Sequence, residues 1–246
     1  MFLLTEDFWE IKTTPHKGRG VFAKKDIEAG TIIGDYLGKI VKDSEGDEYE
    51  EKYGFYDMYY TDDASVWPDV EKPGIHIINN SCTPNSFMYT FHGHTLYFAL
   101  RKILAGEEIT VSYMMAPLDE DCAPCTDFCK CGSEICSGTM HQSPDKYDKW
   151  RAFDDAETAK TPIEPVVFGE YLPKLKTYPA NIPDAKVYPL FGAVHEKALI
   201  LTDEKIPSEK IIRQKIRETG QRLSFEKLGI TIEGIYDGVV YSKLAS

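Results

Sequence analysis

All six cysteines of this 246-residue chain fall between Cys82 and Cys136, and five of them (Cys122, Cys125, Cys129, Cys131 and Cys136) lie within 15 residues. A disulfide framework spreads its cysteines along a short secreted chain, because each bridge staples a separate loop. Thiols crowded into one segment suit a zinc ion instead, which takes four soft ligands in a tetrahedron. Cys129, Cys131 and Cys136 supply three ligands, and Gly132 lets the backbone fold tightly between them. The fourth ligand comes either from the Cys122/Cys125 pair or from the distant Cys82, and spacing leaves both open. A structural zinc ion is therefore expected, in preference to free or redox-active thiols.

Charge divides the chain at nearly the same place. Residues 1–141 carry 12 basic and 24 acidic side chains, whereas residues 142–246 carry 16 of each, so the first part holds the entire formal charge of −12. Residues 43–71 alone hold 11 acidic side chains against the single base Lys52. Such a surface repels a polyanion, so direct nucleic-acid binding is not expected. It is either a solvated face or an attractor for a basic partner. No apolar run approaches the roughly 18 residues of a membrane helix, so no membrane span is expected. The opening residues include Glu6, Asp7 and Glu10 and lack a basic cluster, so no secretory signal is expected. The expected location is intracellular and reducing, either cytoplasm or nucleus and chromatin.

The periodicity predicts mostly short strands in the first half. Residues 20–23 and 31–41 carry β-branched and aromatic residues between glycines, and residues 74–78 and 109–113 read likewise. Residues 87–100 form a hairpin pattern around His92-Gly93-His94, and the aromatic-rich residues 53–60 end at Thr61-Asp62-Asp63. Prolines and charges over 143–165 predict a linker or irregular excursion. Beyond it, Pro207-Ser208 opens a helix pattern with Ile211, Ile212 and Ile216 on one face. Asp237-Gly238, between Ile235-Tyr236 and Val239-Val240, is a hairpin signal.

Several separated segments resemble one family. Lys17-Gly18-Arg19-Gly20-Val21-Phe22-Ala23 resembles the opening glycine loop of SET domains, the lysine methyltransferases. Asp35-Tyr36-Leu37-Gly38 is similar to the Glu-Tyr-x-Gly segment that follows there. Ile77-Ile78-Asn79-Asn80-Ser81-Cys82-Thr83-Pro84-Asn85 resembles Phe-Ile-Asn-His-Ser-Cys-x-Pro-Asn, and Gly106-Glu107-Glu108-Ile109-Thr110-Val111-Ser112-Tyr113 resembles Gly-Glu-Glu-Leu-Thr-x-Asp-Tyr. Cys129-x-Cys131-x4-Cys136 is similar to the zinc-binding post-SET segment. The pieces come in family order over about residues 10–140.

The resemblance implies a mainly β SET-domain fold, with small curved sheets and a pseudoknot-like threaded segment, followed by a small α+β C-terminal region. It divides the chain into a SET domain at 1–118, a post-SET zinc segment at 119–141 and an accessory region at 142–246. It implies transfer of a methyl group from S-adenosylmethionine to the ε-amine of a lysine. Lys17, Gly18, Arg19, Gly20, Asn79 and Asn80 would hold that cofactor, and Tyr113 and Tyr36 would stand at the transfer centre. Cys82 would join Cys129, Cys131 and Cys136 on zinc, leaving Cys122 and Cys125 as structural thiols. Tyr53, Tyr56, Tyr59 and Tyr60 are candidates for the lysine channel.

The sequence also departs from the family. Asn80 stands where His is usual, His76 where Arg is common, Ser112 where Asp is common, and Ser137-Gly138 where Arg-Gly is frequent. Val111 stands where an aromatic residue often influences the number of methyls added, which leaves mono-, di- and trimethylation open. The acidic residues 43–71 coincide with the insert that walls the peptide groove, so the implied substrate is a basic, lysine-containing protein, a histone-like tail first. A non-catalytic SET-like module that binds a basic peptide is the competing expectation.

Overall fold

The computed structural model describes residues 1–14, 16–118, 127–132, 136–161, 163 and 167–180, and the backbone of residues 230–236 and 239–244. In chain order the strands are β1 (Trp9–Thr14), β2 (Gly18–Ala23), β3 (Ile32–Asp35), β4 (Lys39–Lys42), β5 (Met58–Thr61), β6 (Ala64–Trp67), β7 (Asn79–Asn80), β8 (Ser86–Phe91), β9 (His94–Ala99) and β10 (Glu108–Val111). Helix α1 (Gly46–Tyr53) lies between β4 and β5, and helix α2 (Pro144–Thr158) follows β10. The strands β11 (Ile230–Tyr236) and β12 (Val239–Leu244) pair with each other, with Tyr236 opposite Val239. The described chain is thus mainly β, in small sheets with few helices, consistent with a SET-domain fold. The helix expected after Pro207 and the thiols Cys122 and Cys125 lie outside the described residues.

The sheet β3-β9-β8 is buried on both sides because its strands alternate between two cores. Met88, Tyr97 and Ala99 face the larger core with Val21, Ile33 and Ile78. Phe87, Tyr89, Leu96 and Phe98 form the smaller one with Ile32 and Leu100. The β8–β9 connection is the expected tight turn: His92 (φ 50°) and Gly93 (φ 75°) both lie in the left-handed region, as a hairpin that follows strand twist requires.

The single strand expected over 31–41 is two strands in different sheets. β3 pairs with β9, and β4 pairs with β6. The change of sheet passes Gly38, where a Cβ would stand 2.0 Å from the Trp67 carbonyl oxygen. The strand expected over 74–78 is a 3-10 turn, Ile75–Ile77, fully inside the core.

Both helices depart from expectation because neither buries an apolar residue fully. α1 lies in the acidic run and buries no residue, but Asp47 and Glu48 occupy its first turn and Lys52 its last, as the helix dipole favours. Tyr49 anchors it, 5.4 Å from the Trp67 ring and accepting a hydrogen bond from Lys39 Nζ at 2.8 Å. α2 replaces the expected linker. Ser143 and Pro144 start it, but its buried positions are Asp154 and Glu157. These acids accept hydrogen bonds from Thr90 Oγ1 (2.6 Å) and Tyr89 Oη (2.7 Å), which dock the helix on β8.

Candidate active site

The four-stranded sheet β1-β2-β10-β7 assembles the site. β10 pairs antiparallel with β2, Ile109 opposite Val21, and parallel with β7, Thr110 opposite Asn79 and Val111 opposite Asn80. The glycine loop, the Asn79-Asn80 turn and the approach to Tyr113 therefore meet although about 90 residues separate the first from the last.

A cavity of about 550 Å³ opens beside this junction, lined by Lys17, Gly18, Arg19, Asn79, His76 and Tyr113, among others. Asn79 Nδ2 donates to the Arg19 carbonyl and to Glu108 Oε1, each at 2.9 Å, and Lys17 Nζ pairs with Glu108 Oε2 at 2.6 Å. Gly20 lies behind this network, where a Cβ would stand 2.6 Å from Glu108 Oε1 and 2.9 Å from Asn79 Nδ2. Glycine is needed there for close approach, and at Gly18 for its φ of 71°. Arg19 makes no ion pair among the described residues.

A second cavity, of about 340 Å³, is aromatic and lies on the other side of Tyr113. Tyr36, Tyr56, Tyr59 and Tyr97 line it, together with Tyr113 and His76. Of the tyrosines expected to line a channel, Tyr56 and Tyr59 do so; Tyr53 is exposed and Tyr60 belongs to the larger core. The two cavities share Phe55, Tyr56, His76 and Tyr113 as a common wall.

Tyr113 and Tyr36 are held at their hydroxyls. Tyr113 Oη donates to the Ile78 carbonyl at 3.2 Å and Tyr36 Oη to the Tyr56 carbonyl at 2.5 Å. Burial pushes the Tyr113 phenol up to about 12 and the Tyr36 phenol well above its ordinary value. Both are neutral near pH 7, and neither is a proton acceptor of carboxylate strength.

Asn80 lines neither cavity. Its Oδ1 accepts the Tyr113 amide at 3.0 Å, and its Nδ2 donates to Cys129 Sγ at 3.3 Å. Ser112, the other departure, accepts from Gln142 Nε2 at 3.2 Å and ties the chain before α2 to β10. Val111 is fully buried and lines neither cavity.

The sulfurs of Cys82, Cys129, Cys131 and Cys136 lie within 4.8 Å of one another. Cys82 Sγ is 3.6 Å from Cys129 Sγ and 3.9 Å from Cys136 Sγ, and all four cysteines are free thiols. Four sulfurs about 2.3 Å from a tetrahedral zinc would lie about 3.8 Å apart, so the donor set fits that ion in chemistry and spacing.

Other lining residues carry no motif. His76 is buried, with no hydrogen-bond partner on Nε2. Burial, with the positive charges of Met1 and Arg19, lowers its imidazole to about 4. Tyr147, Trp150, Arg151 and Asp154 of α2 close the aromatic cavity from one side. Only the departure from Arg at His76 was a signal in the sequence; the α2 residues lie in a stretch with no recognisable pattern.

No helix among the described residues is long and apolar enough to cross a membrane. Residues 18–114 match the family described as SET domain. Histone-lysine N-methyltransferase trithorax of Drosophila virilis is 34% identical over 128 residues, covering 48% of this chain and 3% of its own length. Histone H3-lysine(4) N-trimethyltransferase ATX1 of Arabidopsis thaliana is 32% identical over 138 residues, 51% of this chain and 12% of its own. The H3 lysine-36 specific histone-lysine N-methyltransferase of Saccharomyces cerevisiae is 33% identical over 110 residues, 41% of this chain and 15% of its own. This chain thus spans only a small part of these relatives. Three motif segments joined in one sheet beside two cavities, together with these matches, lead to one conclusion: residues 18–114 of this chain are similar to a SET domain.

Proposed function

We propose that this protein is a protein-lysine N-methyltransferase that uses S-adenosylmethionine, with a basic, histone-like protein tail as substrate and a chromatin setting. The observation that carries the reading is the wall of Tyr56, His76 and Tyr113 between a polar cavity beside the glycine loop and an aromatic cavity behind it. A polar cofactor and the stem of a lysine need two such compartments meeting at one point. Relatives named as histone-lysine methyltransferases, at about a third identity over half the chain, support the same activity.

S-adenosylmethionine, when bound, supplies an electrophilic methyl on a positive sulfonium. The polar cavity lies within the range typical of small-molecule sites. The backbone of Lys17, Gly18 and Arg19 and the side chain of Asn79 line its wall. Asn79 uses both amide protons within the protein, which leaves Oδ1 as an acceptor for an ammonium, and the Arg19 guanidinium suits a carboxylate. Gly20 and Asn80 support these groups from behind.

The aromatic cavity receives the lysine. An amine in water is about 0.1% neutral near pH 7.5, and burial beside a positive group lowers its pKa, so dehydration rather than a strong base prepares the nucleophile. Tyr113 and Tyr36 keep their protons and act as fixed dipoles that orient the nitrogen. Cys82, Cys129, Cys131 and Cys136 would hold a zinc ion, which would fasten the segment around Cys129 beside Asn80 and so support the Tyr113 backbone. The chain divides, in this reading, into a catalytic part at 1–118, a zinc segment at 119–141 and an accessory part at 142–246.

The test is transfer of labelled methyl to mixed core histones by the full chain and by Tyr113→Phe. Label on a histone that falls at least a hundredfold in the variant, with cofactor binding retained, supports the reading. Cofactor binding with no label on histones or on whole-cell protein favours the peptide-binding module.

A further inference from the structure

One side of the aromatic cavity is built by α2, outside the residues that match the SET family. Asp154 is only 9% exposed yet lines this cavity, and Thr90 Oγ1 donates to its Oδ1 at 2.6 Å. It forms no ion pair among the described residues. Arg151, the permanent cation on the lining, forms its ion pair with Asp155 at 3.2 Å, and its charge offsets the burial of Asp154 only in part. Its guanidinium lies over the rings of Tyr59 and Trp150, 5.4 and 5.7 Å from their centroids. Asp57, just before β5, is a second lining carboxylate, with no side-chain partner among the described residues. Burial raises both carboxyls above their ordinary range.

Docking of α2 does not need the Asp154 charge. Trp150 and Phe153 pack on the smaller core and Glu157 accepts from Tyr89. A carboxylate that burial disfavours and that a neighbouring charge offsets only in part is stabilised further when a cation arrives. The cavity is continuous from Tyr113 to Asp154. A peptide whose lysine points toward Tyr113 therefore carries neighbouring side chains toward α2.

We propose that Asp154 is a substrate-specificity residue that receives a second basic side chain, an arginine or lysine beside the target lysine. This rests on the reading of the aromatic cavity as a lysine site. Selection of the flanking residue would then come from a helix that the SET segment does not itself contain.

The test is fluorescence anisotropy of the full chain, with S-adenosylmethionine present, against labelled peptides bearing one central lysine. A single arginine is walked through the flanking positions, and each peptide has a twin with neutral citrulline. Wild type should prefer arginine about tenfold at one position, the size of one charge-assisted hydrogen bond. Asp154→Asn keeps an oxygen for Thr90 and should weaken the arginine peptide alone, equalising the twins, with helix content by circular dichroism unchanged. No arginine preference in wild type, a preference that survives in Asp154→Asn, or equal weakening of both twins each overturns the proposal. Methyl transfer is read separately in the same samples. Transfer without the Asp154-dependent preference overturns only this inference. The preference without transfer leaves it standing and overturns the methyltransferase reading.

Discussion

Asn80 Oδ1 accepts the backbone N–H of Tyr113 at 3.0 Å. The other end of the same amide donates to Cys129 Sγ at 3.3 Å. One buried side chain thus couples the thiol cluster to the residue that separates the two cavities, at a position where SET domains commonly carry His.

Asn80→Ala should therefore affect two readouts together. It strips a partner from a thiolate and from an amide, at a cost of about 1–3 kcal/mol in unfolding free energy. Outer partners of metal ligands typically change affinity ten- to a hundredfold, so zinc should be lost to a competing chelator at correspondingly lower chelator concentration. With Tyr113 less firmly placed, kcat should fall more than KM rises. Wild-type zinc affinity and kcat in this variant would reduce Asn80 to ordinary packing.

Gly20→Ala perturbs the Asn79–Glu108 network and the β1 residue Thr14 beside it. Gly20 does not need a positive φ, and two of the groups its Cβ would meet, Glu108 Oε1 and Asn79 Nδ2, are side-chain tips, whereas the third, Thr14 Cγ2 at 2.9 Å, belongs to a buried β-branched side chain. The tips can swing away but Thr14 must shift with its strand, so unfolding free energy should fall by about 1–3 kcal/mol, well short of unfolding the chain. The Asn79–Arg19 and Asn79–Glu108 hydrogen bonds cannot both survive that movement. S-adenosylmethionine affinity, followed by calorimetry, should fall about tenfold or more. An unchanged affinity would mean that the network does not shape the cavity.

What the sequence made legible follows from where its signals lie. Glycines, a tight turn and cysteine spacing are local, and they located the β8–β9 turn, Gly18 and three of the four clustered thiols directly. Cys82 required the family likeness, because it lies 47 residues before Cys129 and spacing left it open against the Cys122/Cys125 pair. α1 and α2 were illegible to periodicity because α1 buries no residue, and α2 sets its few aromatics, Trp150 and Phe153 among them, beside the acids Asp154 and Glu157 that it turns inward. His76 was visible as a departure, but its place on both cavities is a product of the 3-10 turn.

The exposed acids of α1 should act at long range. Asp47, Glu48, Glu50 and Glu51 line neither cavity, yet the field of Glu50 reaches Asp57, where it adds to the burial that raises the carboxyl. Converting all four to amides should raise KM for a basic peptide by roughly three- to tenfold at low salt, flatten its salt dependence and leave kcat unchanged. A KM that keeps its wild-type salt dependence would assign the acidic run to solubility alone.

His76 should make stability depend on mildly acidic pH. Its pKa is about 4 in the folded chain against an ordinary 6.5, chiefly through burial. Between these values the unfolded chain binds a proton that the folded chain does not. Its contribution to stability is therefore fully present above pH 6.5, declines as pH falls toward 4, and levels off below that. At about 1.4 kcal/mol per pKa unit the loss is about 3 kcal/mol. His76→Asn cannot titrate but shares every other ionisable group with wild type, so the difference between the two isolates the imidazole. Urea unfolding of both proteins at several pH values should show the wild-type advantage shrinking by about 3 kcal/mol from pH 7 to pH 4. A difference that stays constant within about 1 kcal/mol would mean that the buried ring acquires a partner for its proton, and that its Nε2 is not orphaned in solution.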